Sequence, residues 1–554
     1  MTSTAPPTAA PRSSRAPVRR RGALHFLLDP RLLVWVLPAL VAVIGGVLRF
    51  VRLGFPGTLV FDETYYVKDG WTLTQNGYES EWPEEPNPEF EAGHTDIFLS
   101  DPSYVVHPPL GKWLIGWGMH LFGADDSFGW RFSAALFGTL SIFLLGYFAA
   151  RLLRSVWWGT AAAALLALDG VHLTHSRIGL LDLFLMFFVL LAFGFLVLDR
   201  EWARRRMDRL LARASTAALE TARETTRRAR YGALGPTLLW RPYRLAAGIS
   251  LGCAMGVKWS GLYALAVFGI MTVLWDVALR RRAGARNPWL AALLKDSVPA
   301  FLTMVPVAFV TYVVSWSGWI ATSGGWDRQW AASNHGWWDW LPDWLPSLAH
   351  YHYTAYTFHV GLASEHPYMS NPWGWILQWR PTSFHYRSPE GNDPRCGVYG
   401  VDKCSEAILS VGNPAIWGPA AVAVLVLVLA WALRRDWRAG AVLGGLLATW
   451  GPWFAYQDRT IFTFYTIVMV PFVCLAVAYC LQVVWGSGPR SRGALPSGRP
   501  LSSPFGDLLF WRRVAVGVYL AAVVGLAAFY YPVWTAEVIP YEAWRLRILN
   551  PTWI

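Results

Sequence analysis

Two adjacent acids, Asp62 and Glu63, sit between aromatic residues in FDETYY, just beyond the first strongly apolar stretch of the chain. A charge at the lip of a bilayer is costly, so ionisable residues at that depth are candidates for function. Other polar residues recur at comparable positions: His107 and Lys112 in VHPPLGKWL, Arg131 in GWRFSAALFG, Lys258 in GVKWSG and Arg459 in YQDRT. Asp169, His172, His175, Arg177 and Asp182 cluster in ALDGVHLTHSRIGLLDLF. Such a collection suits transfer of a group from a lipid-linked phosphate. Basic side chains would hold and neutralise the departing phosphate, and a carboxylate would take the proton of an incoming hydroxyl. The chain has no Walker A sequence and no GxGxxG, which argues against an ATP-driven reaction.

Each of these residues also has a plainer reading. Asp62 and Glu63 would serve as a solvated turn after a helix, and Arg131, Lys258 and Arg459 as headgroup anchors or as partners of Asp182 and Asp169. His172 and His175 have a spacing open to metal binding, but no carboxylate-rich cluster surrounds them, and no metal site is expected. The His-Pro-Tyr triplet at His366 and the Trp run of its segment read as a sugar-stacking platform or as the segment's own core.

The elements that must position these residues are apolar. The 554-residue chain is 54% hydrophobic and only 15% charged, with mean hydropathy +0.30, which places it among polytopic membrane proteins. A crossing needs about 20 apolar residues. Candidate windows run near 32–51, 128–150, 156–171, 179–198, 243–257, 260–279, 296–315, 414–433, 439–455, 461–484 and 513–532. The expectation is an all-α membrane protein with about 11 transmembrane helices. With the N-terminus inside, the cytoplasmic segments hold about two-thirds of all Lys and Arg, and the acidic segment ESEWPEEPNPEFEAG falls outside with the C-terminus. The net charge of +12 then marks one membrane face rather than a nucleic-acid surface.

This topology divides the chain into a disordered cytoplasmic tail, 1–31, and an N-terminal catalytic membrane module, 32–315, with an acidic outer loop at 52–127. An aromatic-rich outer loop, 316–412, and a C-terminal membrane module, 413–554, follow. Loops of that length are commonly functional or disordered, and their aromatic content argues for order. The basic segment 201–230 reads as a helix on the anionic inner leaflet. Of five Cys, Cys396 and Cys404 share a polar outer segment, and one disulfide is expected if that compartment is oxidising.

The ordered set FDETYY, HPPLGKWLIGW, WRFSAALFGTL, SRIGLLD, GVKWSGLY, SEHPYMSNPWGWILQWRP and ILSVGNPAIWG resembles the protein O-mannosyltransferases, in their bacterial form, over nearly the whole chain. The resemblance implies a GT-C glycosyltransferase fold. It also implies transfer of mannose from polyprenyl-phosphate-mannose to Ser or Thr of exported proteins, with no cofactor beyond that donor. The family's acidic pair falls on Asp62 and Glu63, both assigned as catalytic, with Asp62 the general base or acceptor-orienting carboxylate. Arg131 and Lys258, with Arg177 and Arg459, are assigned to the donor phosphate, and His107, Lys112, Asp182, Trp259 and His366 to substrate binding. The segment 316–412 is too short for the MIR domain that eukaryotic members insert. The basic, Ala- and Arg-rich tails look actinobacterial, where the donor lipid would be decaprenyl. Another GT-C enzyme acting on envelope lipid or polysaccharide, and a transporter or flippase, are the alternatives. The one-sided polar cluster and the lack of a clear internal repeat weigh against transport.

Overall fold

Every apolar window of the sequence is helical in the computed structural model, which describes residues 29–220, 234–389, 393–486 and 506–554. The expected tail 1–31 lies outside the described residues apart from its last three, of which Pro30 and Arg31 open the first helix. The helices are α1 (Pro30–Phe50), α2 (Glu63–Asn76), α3 (Leu110–Phe122), α4 (Ser127–Leu153), α5 (Val156–Ala167), α6 (Gly170–His175), α7 (Asp182–Glu220) and α8 (Pro242–Val257). They continue with α9 (Gly261–Arg282), α10 (Val298–Ser315), α11 (Trp344–Gly361), α12 (Ala420–Arg434), α13 (Trp437–Thr449), α14 (Val470–Val484) and α15 (Gly506–Trp534). Among the described residues, 7 helices are long and apolar enough to cross a membrane. The windows at α5, α8, α13 and α14 form shorter helices of 12, 16, 13 and 15 residues.

Burial separates the helices into layers. The membrane part of α7 is apolar on all sides, and Leu183, Phe184, Met186, Leu190, Phe193, Leu196 and Val197 are all buried, as expected of a central helix. By contrast α1 and α10 turn Leu40, Val43, Ile44, Phe301, Phe309 and Val310 outward, the pattern of lipid-facing surfaces. Residues 201–220 continue α7 instead of forming a separate surface helix. At that end Arg241 pairs with Asp199 and Asp276, and Arg244 with Asp276, tying α7, α8 and α9 together without leaving a buried charge alone.

The described residues of the two long segments, 52–127 and 316–412, hold regular structure. The first holds α2 and α3, and the second holds α11 with strands β1 (Thr382–Arg387) and β2 (Cys404–Ser410). A third strand, β3 (Val538–Pro540), comes from beyond α15, and the antiparallel order is β1-β2-β3. This small sheet adds to the helical architecture expected from sequence. Its strands are short, and its last pairing bridges more than a hundred residues, so local periodicity carries little sign of it. Cys396 and Cys404 are joined by a disulfide beside the sheet. The register shifts between Ser383 and His385, and a bulge of this kind re-aims the intervening side chain. Phe384 accordingly packs 4.9 Å from the Phe61 ring, next to Asp62.

Close backbone contact sets α2 against α3. A Cβ on Gly116 would lie 2.4 Å from the Gly70 carbonyl oxygen, and one on Gly70 would lie 2.8 Å from the Lys112 carbonyl oxygen. Only glycine fits where two backbones meet so tightly. The contact holds the N-terminus of α2, and with it Asp62, at a set height above the bundle. Gly116→Ala is expected to push the helices apart and destabilise the protein by about 1–3 kcal/mol, read as a lower Tm in detergent, whereas Gly269→Ala, in the interior of α9 with open space around it, should leave Tm no lower than wild type.

Candidate active site

The two acids of FDETYY have opposite surroundings. Glu63 is fully buried, and its carboxylate accepts from Arg131 Nε at 2.8 Å and Arg131 Nη2 at 2.8 Å. It also accepts from the backbone N–H groups of Val60 and Gly179, both at 2.8 Å. Arg131 is only 1% exposed, and its remaining donors reach the carbonyls of Pro56 at 2.7 Å and Thr58 at 2.9 Å. This bidentate pair ties the start of α2 to α4 and to the turn before α7.

Asp62 stands at the N-cap of α2, yet its side chain makes no capping hydrogen bond. Phe61 before it has φ +53°, a left-handed conformation that a bulky residue keeps only when its neighbours hold it there. Phe384 and Phe464, 4.9 and 5.5 Å from the Phe61 ring, do so. Burial raises the Asp62 carboxyl to about 6, opposed by Lys258 and by a hydrogen bond with Tyr66, and reinforced by Asp182. A carboxyl tuned in this way is a proton acceptor at neutral pH.

Cations and neutral imidazoles face it. Lys258, the C-cap of α8, donates to Asp182 at 2.7 Å and lies 5.5 Å above the Tyr465 ring. His107 packs against Tyr66 at 6.0 Å and against His359 at 5.3 Å. Burial, with Lys258 and His359 nearby, holds His107 well below the ordinary imidazole range. His359 is lowered to about 4 by burial and by Arg459. Its Nε2–H donates to the Val106 carbonyl at 3.1 Å, which leaves Nδ1 to accept from Arg459 Nη2 at 3.1 Å. The buried Arg459 Nε has no hydrogen-bond partner among the described residues. Asp62, Lys258, Asp182, His107 and Arg459 therefore form one constellation, and Tyr66, His359 and Tyr465 complete it.

The other sequence candidates fall elsewhere. The Arg177 guanidinium donates to the carbonyls of Arg49 and Val51, both at 2.7 Å, and of Arg52 at 2.9 Å, closing the end of α1. Lys112 is buried in an ion pair with Glu79. Beside that pair Asp69 is raised to about 7 by burial, with Lys112 opposing. Trp259 donates to the Tyr312 hydroxyl at 3.0 Å and stacks on His352, 5.6 Å away, at the rim near His359. His366 accepts from the Tyr368 N–H at 3.1 Å and lies edge-on to Phe462 at 5.0 Å. Both His172 nitrogens are occupied, by Arg49 at 2.6 Å and Ser141 at 2.8 Å. Asp169 accepts from Trp417 Nε1 at 2.7 Å and from the Asn413 N–H at 3.3 Å, so GNPAIW docks the C-terminal helices. Tyr66 and Asp69 escape the sequence reading, although they follow Asp62 at i+4 and i+7 on one helix face.

A helical membrane bundle with ordered outer segments and an acid facing cations defines a polytopic membrane glycosyltransferase of the GT-C fold. The fold is that of the S. cerevisiae protein O-mannosyltransferase Pmt1-Pmt2 complex bound to the sugar donor, with a TM-score of 0.65 at 14% identity, covering 94% of this chain and 92% of that one. A family described as the C-terminal four TMM region of protein-O-mannosyltransferase matches residues 344–553, and one described as dolichyl-phosphate-mannose-protein mannosyltransferase matches residues 106–219. The chain is 35% identical over 535 residues to the polyprenol-phosphate-mannose–protein mannosyltransferase of Mycolicibacterium smegmatis, covering 94% of this chain and 93% of the relative. It is 34% identical over 538 residues to that of Mycobacterium tuberculosis, covering 94% and 92%. This chain belongs to the polyprenol-phosphate-mannose–protein mannosyltransferase family.

The environments of the two acids predict opposite effects on stability. Glu63→Gln leaves a buried guanidinium without its counter-charge and should destabilise by about 3 kcal/mol or more. Asp62 has a folded pKa of about 6 against an ordinary 3.8, so its charging in the folded state is penalised. Its contribution to stability is lost as pH rises through about 6. Asp62→Asn should therefore raise Tm relative to wild type at pH values above about 6, with the gain shrinking as pH falls toward 4. Thermal melts of both variants in detergent across that range check the pair.

Proposed function

We propose that this chain transfers mannose from polyprenyl-phosphate-mannose to Ser or Thr hydroxyls of proteins during or after their export, at the extracytoplasmic face of the cell membrane. The observation that carries the reading is Asp62, an uncapped carboxyl raised to about 6 beside Lys258. The basic loops support a cytoplasmic N-terminus and an outside C-terminus.

The reaction is a single inverting displacement. The acceptor hydroxyl oxygen forms a bond to the mannose anomeric carbon as the bond from that carbon to the phosphate oxygen breaks. The hydroxyl proton passes to Asp62, and the electron pair leaves with polyprenyl phosphate. A phosphodiester leaving group departs readily, so catalysis rests on positioning and charge stabilisation, with no metal or nucleotide. Lys258 and Arg459 are assigned to the phosphate. Lys258 has one carboxylate at hand and Arg459 keeps an open Nε, whereas the donors of Arg131 and Arg177 are engaged by Glu63 and by backbone carbonyls. Asp182 holds Lys258 in place at the positive end of α7.

The purified enzyme, given labelled polyprenyl-phosphate-mannose and a Ser/Thr-rich peptide, should form glycopeptide at a rate unaffected by EDTA. Asp62→Asn is expected to lower kcat at least a hundredfold while still binding donor. Arg459→Gln and Lys258→Gln should weaken donor binding more than acceptor binding. Near-wild-type turnover by Asp62→Asn, or mannosylated lipid as the product, would overturn the reading.

A further inference from the structure

A second cluster of cations lies midway along α7, where its apolar part gives way to the basic stretch that follows. Arg200 is 18 residues along that helix from Asp182, about 27 Å at 1.5 Å per residue, too far for a donor phosphate at the transfer site to reach. Here α7, α8 and α9 enclose a cleft of about 80 Å³ lined by Arg200, Arg204, Arg241, Arg282, Trp275 and Asp276. A water needs only about 10–15 Å³ of such space, so the cleft has room for a group the size of several waters, as a phosphate is.

Its lining carries four arginines and one acid. Asp276, the one acid of the lining, already accepts from Arg241 at 3.2 Å and from Arg244 at 2.5 Å, and Asp199 accepts from Arg241 at 2.5 Å. Among the described residues, the ion pair of Arg282 is an exposed contact with Asp208 at 3.7 Å. Arg204, Arg154 and Arg282 repel Arg200, and Asp276 attracts it. The Arg200 guanidinium lies over two indole rings, its central carbon 4.2 Å from the Trp437 ring centroid and 5.4 Å from that of Trp275. A cation–π contact of this kind attracts the guanidinium to the rings without itself using an N–H donor in a hydrogen bond. Like charges gathered this closely raise the energy of the empty cleft, and an anion entering it lowers that energy. The planar fork of arginine matches a phosphate better than a single-point anion.

We propose that this cleft binds a phosphate group, presented by an anionic phospholipid headgroup of the leaflet opposite the transfer site or as free phosphate. Trp275 and Trp437 suit a headgroup, since indole rings favour the membrane interface. The occupant compensates the arginines and ties the middle of α7 to the end of α9, away from the chemistry.

The test uses full-length protein, delipidated in neutral detergent. It is titrated with phosphatidylglycerol, with phosphatidylcholine, and with inorganic phosphate against chloride at equal ionic strength. Binding is read by native mass spectrometry and by Tm. The expected result is retention of phosphatidylglycerol over phosphatidylcholine, or a phosphate-specific rise in Tm, with affinity reduced at least tenfold in Arg200→Gln and in the exposed variant Arg282→Gln. Phosphatidylglycerol acting alone assigns the lipid source, and inorganic phosphate acting at the same residues assigns the free anion. Arg286→Gln, a basic position outside the lining, should bind as wild type. No preference in the wild-type protein, wild-type affinity in Arg282→Gln, or an equal loss in Arg286→Gln would overturn the proposal.

Discussion

The buried pairing of Glu63 with Arg131 is the interaction on which the rest of the candidate site depends. It joins the first turn of α2 to α4, and through the Gly179 N–H it reaches the turn that leads into α7. Breaking such a pair leaves one charge uncompensated in a medium that solvates it poorly. Because both partners are nearly without exposure and each is fully hydrogen-bonded, the pair acts as a fixed point from which Asp62 projects.

That arrangement separates two chemically similar neighbours into different roles. Four donors neutralise Glu63, whereas Asp62 faces Lys258, Asp182 and Tyr66 with its proton affinity raised. The glycine contact between α2 and α3 and the aromatic clamp on Phe61 keep the exposed edge of Asp62 from relaxing into an ordinary helix cap. His107 and His359 remain neutral beside two cations, so positive charge concentrates on Lys258 and Arg459. The membrane bundle supports this small constellation from below, and the aromatic outer segments close it from above.

Much of this organisation is legible in the sequence because apolar windows and basic loops are local signals. The helices follow from runs such as LVWVLPALVAVIGG, and one-sided placement of Asp62, Lys258 and Arg459 follows from their positions at helix ends. The destination of each charge is another matter. Arg131 and Lys112 look as available as Lys258 until Glu63 and Glu79 are seen to occupy them. Those pairings depend on tertiary approach across segments far apart in the chain, and no spacing rule encodes them. The β3 pairing and the Arg459–His359 contact have the same origin. Tyr66 and Asp69 were within reach, since their positions relative to Asp62 describe one helix face.

The central claim is that Asp62 takes the proton of the acceptor hydroxyl. Its most direct test is the pH dependence of kcat/KM for mannosyl transfer to a peptide. The account predicts a rise of tenfold per pH unit on the acid side and a plateau above about 6, set by the single ionisation of Asp62. A rate that stays flat through pH 6 while the enzyme remains folded would contradict it.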